Sequence, residues 1–591
     1  MRRAWAGLGA LAAVLLGHGL ILAFTSLRTP ALAPAELLCG AGLYWLLVPE
    51  DRSCAALPVC GRWLLAALLS LTLVTGRFLD AGLGFAAMTA RDFLLYLALV
   101  AAVTPPGYCL FTLLLVFFER AARRESLRPD TKTPARRQFL LALGAILLCW
   151  LPVWLAYFPG LWNYDPWQIY QVLGWDYSKH HPLLHTLLLG GCYALGLRLG
   201  NPTLGQLLYI GIQLLVMAVI FAYTYAFLCG KVRGRAWRAA LLLFFCLLPV
   251  HPILALSTTK DTLFSGFVLL SLVLALQLSE RRGQRSPGLM AALLVSLTLM
   301  LLLRNNAVYA LAIFLLAALA LTLWRRLDRR VLLAGALAAL LFFTADTALT
   351  RGLSASHGLA REMFSLPGQL FGRVYFVASV DEEGNVTDPE SRALVEHYYE
   401  RYAFAYNPYL SDPMKDFQLW LPDGPAVYLR DILTLLRRYP LDGLDAGLYL
   451  TQGHWDAGDV SHADMYTSLE PGLRGYLQTD VLPGYGLEPD SRLPALKRAI
   501  ERVVTDNVYQ TWPLAPLLFA PASYAWLLLL TTVLLCRGKR WLPFALTGWF
   551  WGYYLTLLAG PCALIRYTYP LVCAAPVFLA LSLGAVSREN G

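Results

Sequence analysis

Apolar runs of 17 to 27 residues recur almost end to end in this chain, each about long enough to cross a bilayer core of roughly 30 Å as a helix. Inside hydrocarbon every backbone N–H and C=O must be satisfied by the protein itself, so such runs have little choice but to be helical. The spans fall near 4–25, 31–48, 61–76, 92–118, 138–158, 203–229, 238–256, 261–279, 287–303, 307–324, 331–350, 514–535, 541–558 and 566–586. Composition agrees: 58% of the 591 residues are hydrophobic and 15% charged, against about 45–50% and about 25% in soluble domains. A soluble multidomain enzyme is excluded. The 92–118 run contains Pro105-Pro106 and reads as kinked or as two half-spans. The basic start of the first run resembles a signal peptide, but the run is long and Ala33 is followed by Pro34, so it reads as a retained anchor.

Charge placement orients these spans. The single long polar stretch, 351–512, holds 14 Lys/Arg and 23 Asp/Glu, a net charge of −9, while the remainder of the chain carries +19. That excess lies in short clusters between apolar runs: Arg2-Arg3, Arg120 to Arg137, Lys231 to Arg238, Arg281 to Arg285, Arg325 to Arg330 and Arg537 to Arg540. Basic residues in short loops stay cytoplasmic. Both termini are therefore predicted inside and 351–512 outside, at a bacterial-type plasma membrane. The net charge of +10 is thus a topology signal, and a nucleic-acid partner is excluded; membrane lipids are the expected surroundings.

The expectation is an all-α polytopic protein with about 14 transmembrane helices and one extracytoplasmic, mixed but mainly helical domain. Residues 1–120 form N-terminal membrane helices, 121–350 a membrane core with an outer loop at 159–182, 351–512 the exported domain, and 513–591 the C-terminal membrane helices. One apolar segment does not fit: with Lys231 to Arg238 inside, the number of crossings leaves 183–199 over. It is the shortest, and Asn201-Pro202 separates it from the next, so it reads as a re-entrant or interfacial helix beside an outer cavity. Within 351–512, helices are expected over 391–402 and 428–439, and 451–490, rich in Gly, Pro and Asp, reads as loop. All eleven cysteines lie outside 351–512, which must fold without disulfides.

Chemistry concentrates in the outer loop. Asp165 stands among Trp162, Tyr164, Trp167, Tyr170, Trp175 and Tyr177, and His180-His181-Pro182-Leu183 opens the next apolar segment, with His185 following. The plain reading is an interfacial aromatic belt around one exposed Asp. The functional reading is a carboxylate at the membrane surface able to act as a general base, with aromatic faces for a sugar or lipid head group. Thr258-Thr259-Lys260-Asp261 lies at a second helix junction, Arg304-Asn305-Asn306 interrupts an apolar stretch, and Arg566-Tyr567-Thr568-Tyr569-Pro570 opens the last span. Each has a structural alternative: a capping ion pair, a short hairpin and a snorkelling arginine. Asp346 reads as a helix-end acid paired with an unidentified cation.

A span, an outer loop with an acid and aromatics, and then His-Pro-Leu opening a helix resembles the glycosyltransferase-C superfamily, which includes protein O-mannosyltransferases and the aminoarabinose transferases of lipid A. Thr258 to Asp261 and Arg566 to Pro570 are similar to its second acidic position and its late Arg-Tyr-x-x-Pro motif. Two departures stand out: Leu183 replaces a second proline, and Asp165 is single where some relatives have an Asp-Glu pair. The Tyr-Asp-x-x-x-x-Tyr and His-Pro-Leu-x-His pattern also resembles an uncharacterised bacterial membrane-protein family. The superfamily resemblance covers roughly 138–350 and 514–586. It implies an inverting transfer of a sugar from a polyprenyl-phosphate-linked donor to a glycan, lipid or protein acceptor. In that scheme Asp165 and Asp261 are catalytic, and Arg566, Lys260, Arg304, His181, Trp167, Tyr164 and Tyr567 bind substrate. A divalent metal ion is a candidate cofactor with His180 and His454 as ligands. The Gly453 to Asp464 stretch gathers His454, Asp456, Asp459, His462 and Asp464, yet its spacing matches no standard site and a solvated acidic loop is the simpler reading. The other readings are a glycan polymerase or ligase, or a transporter or flippase of envelope glycolipids. A transporter would show internal repeats, and none is found.

Overall fold

The computed structural model describes residues 2–24, 32–48, 54–123, 135–162, 168–231, 234–281, 286–325, 329–356, 361–381, 383–399, 404–458, 477, 486–488, 490–504, 508–509 and 511–587. Among these the fold is all-helical, with only isolated β-bridges and no named strand. The first helices are α1 (Arg2–Phe24), α2 (Leu32–Leu47), α3 (Val59–Asp80), α4 (Ala90–Arg123), α5 (Ala135–Ala156), α6 (Gln168–Gly174), α7 (Leu183–Arg198) and α8 (Pro202–Cys229). Then come α9 (Arg235–Leu247), α10 (Val250–Ala255), α11 (Lys260–Glu280), α12 (Pro287–Leu303), α13 (Ala307–Leu323) and α14 (Arg329–Gly352). The polar segment supplies α15 (Ser365–Arg373), α16 (Pro389–Glu396), α17 (Asp412–Lys415), α18 (Pro425–Arg438), α19 (Pro440–Trp455) and α20 (Pro494–Val504). The chain ends in α21 (Pro516–Phe519), α22 (Pro521–Arg537), α23 (Trp541–Leu558) and α24 (Ile565–Ser587).

Seven of the described helices, α3, α4, α5, α8, α11, α14 and α24, are long and apolar enough to cross a membrane, and six further apolar helices are shorter. This is a multi-pass membrane protein. Of the two readings of the 92–118 run, the half-spans are removed: it lies within one continuous helix, α4, with Pro105 and Pro106 inside it. The 238–256 run is two helices, broken at Leu248-Pro249, where Leu248 is extended at ψ 115; the residue before a proline is pushed out of the helical region.

Local signals explain the boundaries. The Asn201 side chain accepts the Thr203 N–H at 3.0 Å and Pro202 occupies the first turn, so α8 starts there. Thr259 caps α11 in the same way. The α7–α8 turn is tight because Gly196 and Gly205 meet: a Cβ on Gly196 would lie 2.5 Å from the Gly205 nitrogen. Small residues let membrane helices approach this closely. At 16 residues α7 is about 24 Å long, short of the hydrocarbon thickness, and it packs on α6, α8, α12 and α14.

The polar segment has its own core of Phe364, Leu370, Phe371, Val374, Tyr398, Met414 and Tyr428. Expected helices over 391–402 and 428–439 appear as α16 and α18, shifted by a few residues towards their Asp388 and Pro425 starts. The expected loop from 451 begins late, because α19 runs on to Trp455. That helix packs on α3, α22 and α23. Asp445 accepts the N–H groups of Phe85 and Ala86 at 2.7 and 3.0 Å and pairs with Arg373 at 2.9 Å. Buried Asp456 sits so close to α3 that a Cβ on Gly76 would lie 1.9 Å from its Oδ2. The polar domain is therefore bolted to the first long membrane helices by carboxylates seated on glycines.

Candidate active site

The site lies where the α10–α11 turn, the α12–α13 junction and the start of α24 converge. Asp261, in the first turn of α11, is fully buried and forms an ion pair with Arg304, the residue that ends α12. The Arg304 guanidinium carbon also lies 5.5, 5.5 and 5.3 Å from the ring centres of Phe264, Tyr553 and Tyr567, a cation boxed by π faces. Arg566, 5% exposed, donates from Nη2 to the Tyr567 hydroxyl at 3.0 Å and lies 4.8 Å above that ring. Tyr553 fixes the turn by donating to the Tyr567 carbonyl at 2.7 Å. Beside Asp261, the Lys260 ammonium is 3.1 Å from His181 Nδ1. An ammonium only donates, so Nδ1 is the acceptor in this contact. Lys260, Asp261, Arg304, Arg566, Tyr567 and His181 are thus brought together from four distant stretches. Two buried guanidiniums, Arg304 and Arg566, thus share the Tyr567 ring, with the Lys260-Asp261 turn beside them.

Directly beneath, an apolar cleft opens between α11, α12, α13, α14 and α23, lined by Val268, Leu272, Met300, Phe314, Trp549 and Phe550 among others. Met300 is one helical turn before Arg304, Val268 one turn after Phe264, and the Trp549 ring stacks on Tyr553 at 5.6 Å. The cleft therefore begins about one helical turn from the Arg304 cluster, whose charged residues do not line it.

Asp165, Tyr164 and Trp167 lie outside the described residues, but the chain on both sides of them is pinned to this site. Before them, the Leu161 N–H donates to the Leu256 carbonyl at 2.9 Å. After them, fully buried Gln168 receives the Thr186 hydroxyl at 2.9 Å and lies 3.1 Å from His185 Nδ1. The network continues from His185 Nε2 to the Tyr209 hydroxyl at 2.9 Å and on to Gln213, whose amide donates to the carbonyls of Leu254, Ala255 and Ser257. Sequence reasoning missed Gln168, Tyr209 and Gln213. Their signal was available: amides within apolar stretches are costly and need a reason. Asp346 finds the cation it was expected to have, Lys179, at 2.6 Å.

The remaining expected residues lie as follows. Asp261 is fully buried and holds the Arg304 guanidinium by its ion pair. His180 packs edge-on against His181 at 4.7 Å. His454 is fully buried at the end of α19, where loss of water pushes its imidazole down to about 4. No group of three or more His, Cys, Asp or Glu stands ready for a metal ion among the described residues. Asp456 is spent on α3 and the Gly458 N–H, while Asp459, His462 and Asp464 fall outside the described residues.

The polar domain closes over the same site. The Ser411 N–H donates to the Pro561 carbonyl at 2.9 Å, and Leu410, Cys562 and Leu564 pack together against Tyr567. Burial opposes the Lys415 charge, yet Glu362 at 2.7 Å and Asp412 at 3.0 Å outweigh it and hold its pKa above the ordinary lysine value.

A family model described as a family of unknown function (DUF6020) matches residues 176–417. That stretch contains the Lys179 to His185 segment, the Lys260-Asp261 turn, Arg304 and the first half of the polar domain, and stops short of Arg566. No curated protein and no solved structure matches the chain.

Proposed function

We propose that this protein is a membrane glycosyltransferase of the glycosyltransferase-C kind, moving a sugar from a polyprenyl-phosphate-type donor to an acceptor at the outer membrane face. The observation that supports this reading is the gathering of Arg304, Arg566 and Lys260 around Tyr567 and Asp261, one helical turn from an apolar cleft. A phosphate esterified to a long isoprenoid is the matching ligand, with its anion at the cations and its chain in the cleft. In the reaction, an acceptor hydroxyl oxygen attacks the anomeric carbon and the bond from that carbon to the phosphate oxygen breaks. The phosphate leaves with the electron pair, and the hydroxyl proton passes to Asp165. Arg566 presents a planar fork suited to two phosphate oxygens. Arg304, clamped by Asp261, supplies a fixed positive field, and such preorganised charge is worth most where charge develops. Lys260 and His181 flank the leaving group.

Arg566→Lys tests the donor assignment, because it keeps the charge and loses the fork. Purified parent and variant, titrated with a polyprenyl monophosphate, should differ in affinity by about tenfold, the worth of one charge-assisted hydrogen bond, with melting temperature unchanged. Equal affinities would remove Arg566 from the phosphate site.

The proposal includes about 14 crossings, cytoplasmic termini and an exterior 351–512 domain, as the basic clusters imply. In a chain stripped of accessible native cysteines, Asn385→Cys is expected to react with an impermeant maleimide from outside, and Gly283→Cys only after permeabilisation. The reverse pattern would invert every site assignment.

A further inference from the structure

Residues 361–420 of the polar domain carry a second pocket, of about 190 Å³, that the transfer chemistry does not use. Its walls are Arg361, Phe364, Asp416, Phe417, Gln418 and Trp420. Trp420 is 53% exposed, with its ring set edge-on against Phe364 at 5.7 Å, and Phe417 is 44% exposed. Apolar aromatic area is normally buried in a folded domain, so two such rings at a polar pocket offer open π faces. Gln418 is buried, and the hydroxyls of Tyr399 and Tyr428 take its Oε1 at 3.4 and 3.3 Å. Its Nε2 is buried without a protein partner. Whichever way the amide is turned, one of its two ends lacks a protein partner, a cost that a hydrogen bond reached by rotating the side chain towards the pocket would relieve. Arg361 and Asp416 bring one charge of each sign, so the pocket as a whole is neutral.

We propose that this pocket binds a single ring of a neutral saccharide. A sugar ring has an apolar C–H face for Trp420 and hydroxyls that both donate and accept, matching an amide, a carboxylate and a guanidinium at once. An anionic or cationic ligand would leave Asp416 or Arg361 facing its own sign. The segment that builds the pocket begins at Ser411, which is hydrogen-bonded to Pro561 in the loop leading to Arg566. The ligand is accordingly the acceptor glycan, held by a ring some distance from the one that reacts. Only the word acceptor rests on the transferase reading; the binding does not.

The test uses the full-length protein in nanodiscs and saturation-transfer NMR with methyl glycosides of glucose, galactose, mannose, rhamnose and N-acetylglucosamine. At least one should bind, and Trp420→Ala and Gln418→Leu should each weaken it about tenfold, while Arg566→Lys leaves it unchanged. Trp420 is exposed, so its variant keeps the parental melting temperature and remains a fair comparison if Gln418→Leu does not fold. No binding by any of the five, or binding indifferent to Trp420→Ala, would overturn the site. So would quenching of Trp420 by lipids brominated near the head group, read as the difference between parent and Trp420→Phe, because that places the ring in the membrane surface. Binding at Trp420 without transfer from any lipid donor would leave the pocket standing and remove the transferase reading; transfer without sugar binding would do the opposite.

Discussion

Asp261→Asn is expected to destabilise the folded protein by about 3–5 kcal/mol, the usual cost of removing one partner from a buried ion pair. Asp261 is fully buried and Arg304 nearly so, so loss of the carboxylate strands a guanidinium that water cannot reach. The three surrounding rings return only part of this, since a cation–π contact contributes about 0.5–2 kcal/mol. Asparagine keeps the shape, so the effect isolates the charge. Thermal unfolding in nanodiscs followed by tryptophan fluorescence should show a clearly lower midpoint. Asp261→Leu combined with Arg304→Met should recover most of the loss, because apolar replacement of a whole buried pair is often neutral. The recovered variant should nevertheless bind polyprenyl phosphate more weakly, since the fixed cation is gone. If the single Asn variant melts with the parent, the pair does not anchor the α11–α12 junction.

Asp165→Asn is expected to lower sugar transfer by roughly 10²–10⁴, the range for loss of a general base, with donor affinity near normal. The chain is fixed on both sides of Asp165, by Leu161 on Leu256 and by Gln168 in the His185 network. An ordinary Asp, with a pKa of about 3.9, is ionised at neutral pH and able to accept a proton. Single-turnover transfer with saturating donor separates the chemical step from binding. Parental rates in the Asn variant would make Asp165 structural and return the search for a base to the rest of the outer loop.

The positions of the membrane helices were legible in the sequence, because hydrocarbon leaves a long apolar run no structure but a helix and the lipid-facing residues announce themselves. Where an apolar run hid a break, as at Leu248-Pro249, hydropathy was blind to it and the backbone preference before proline decided. Lys260, Asp261, Arg304, His181, Arg566 and Tyr567 were each picked out as polar groups at apolar helix ends, which is a local signal. Their roles were not. Asp261 and Arg304 are 43 positions apart, and nothing in one chain's residue order says that they pair or that Tyr567 packs on the guanidinium.

The polar domain shows the same division more sharply. Composition sufficed to mark 351–512 as a separate, disulfide-free, acidic unit with helices near Pro389 and Pro425. It placed the start of the loop at 451, before the end of α19 at Trp455, since Gly, Asp and His there look hydrated. In the folded protein α19 carries Asp445, His454 and Asp456 into burial against α3, α22 and α23, where Gly76 and Gly84 leave room for the carboxylates. By itself, then, the sequence determined which segments are helical and where charge interrupts them, because solvent and lipid act on each residue locally. Only the tertiary structure decided which charges are paired and which acids are buried against a neighbouring helix, because pairing and desolvation depend on neighbours that are distant along the chain.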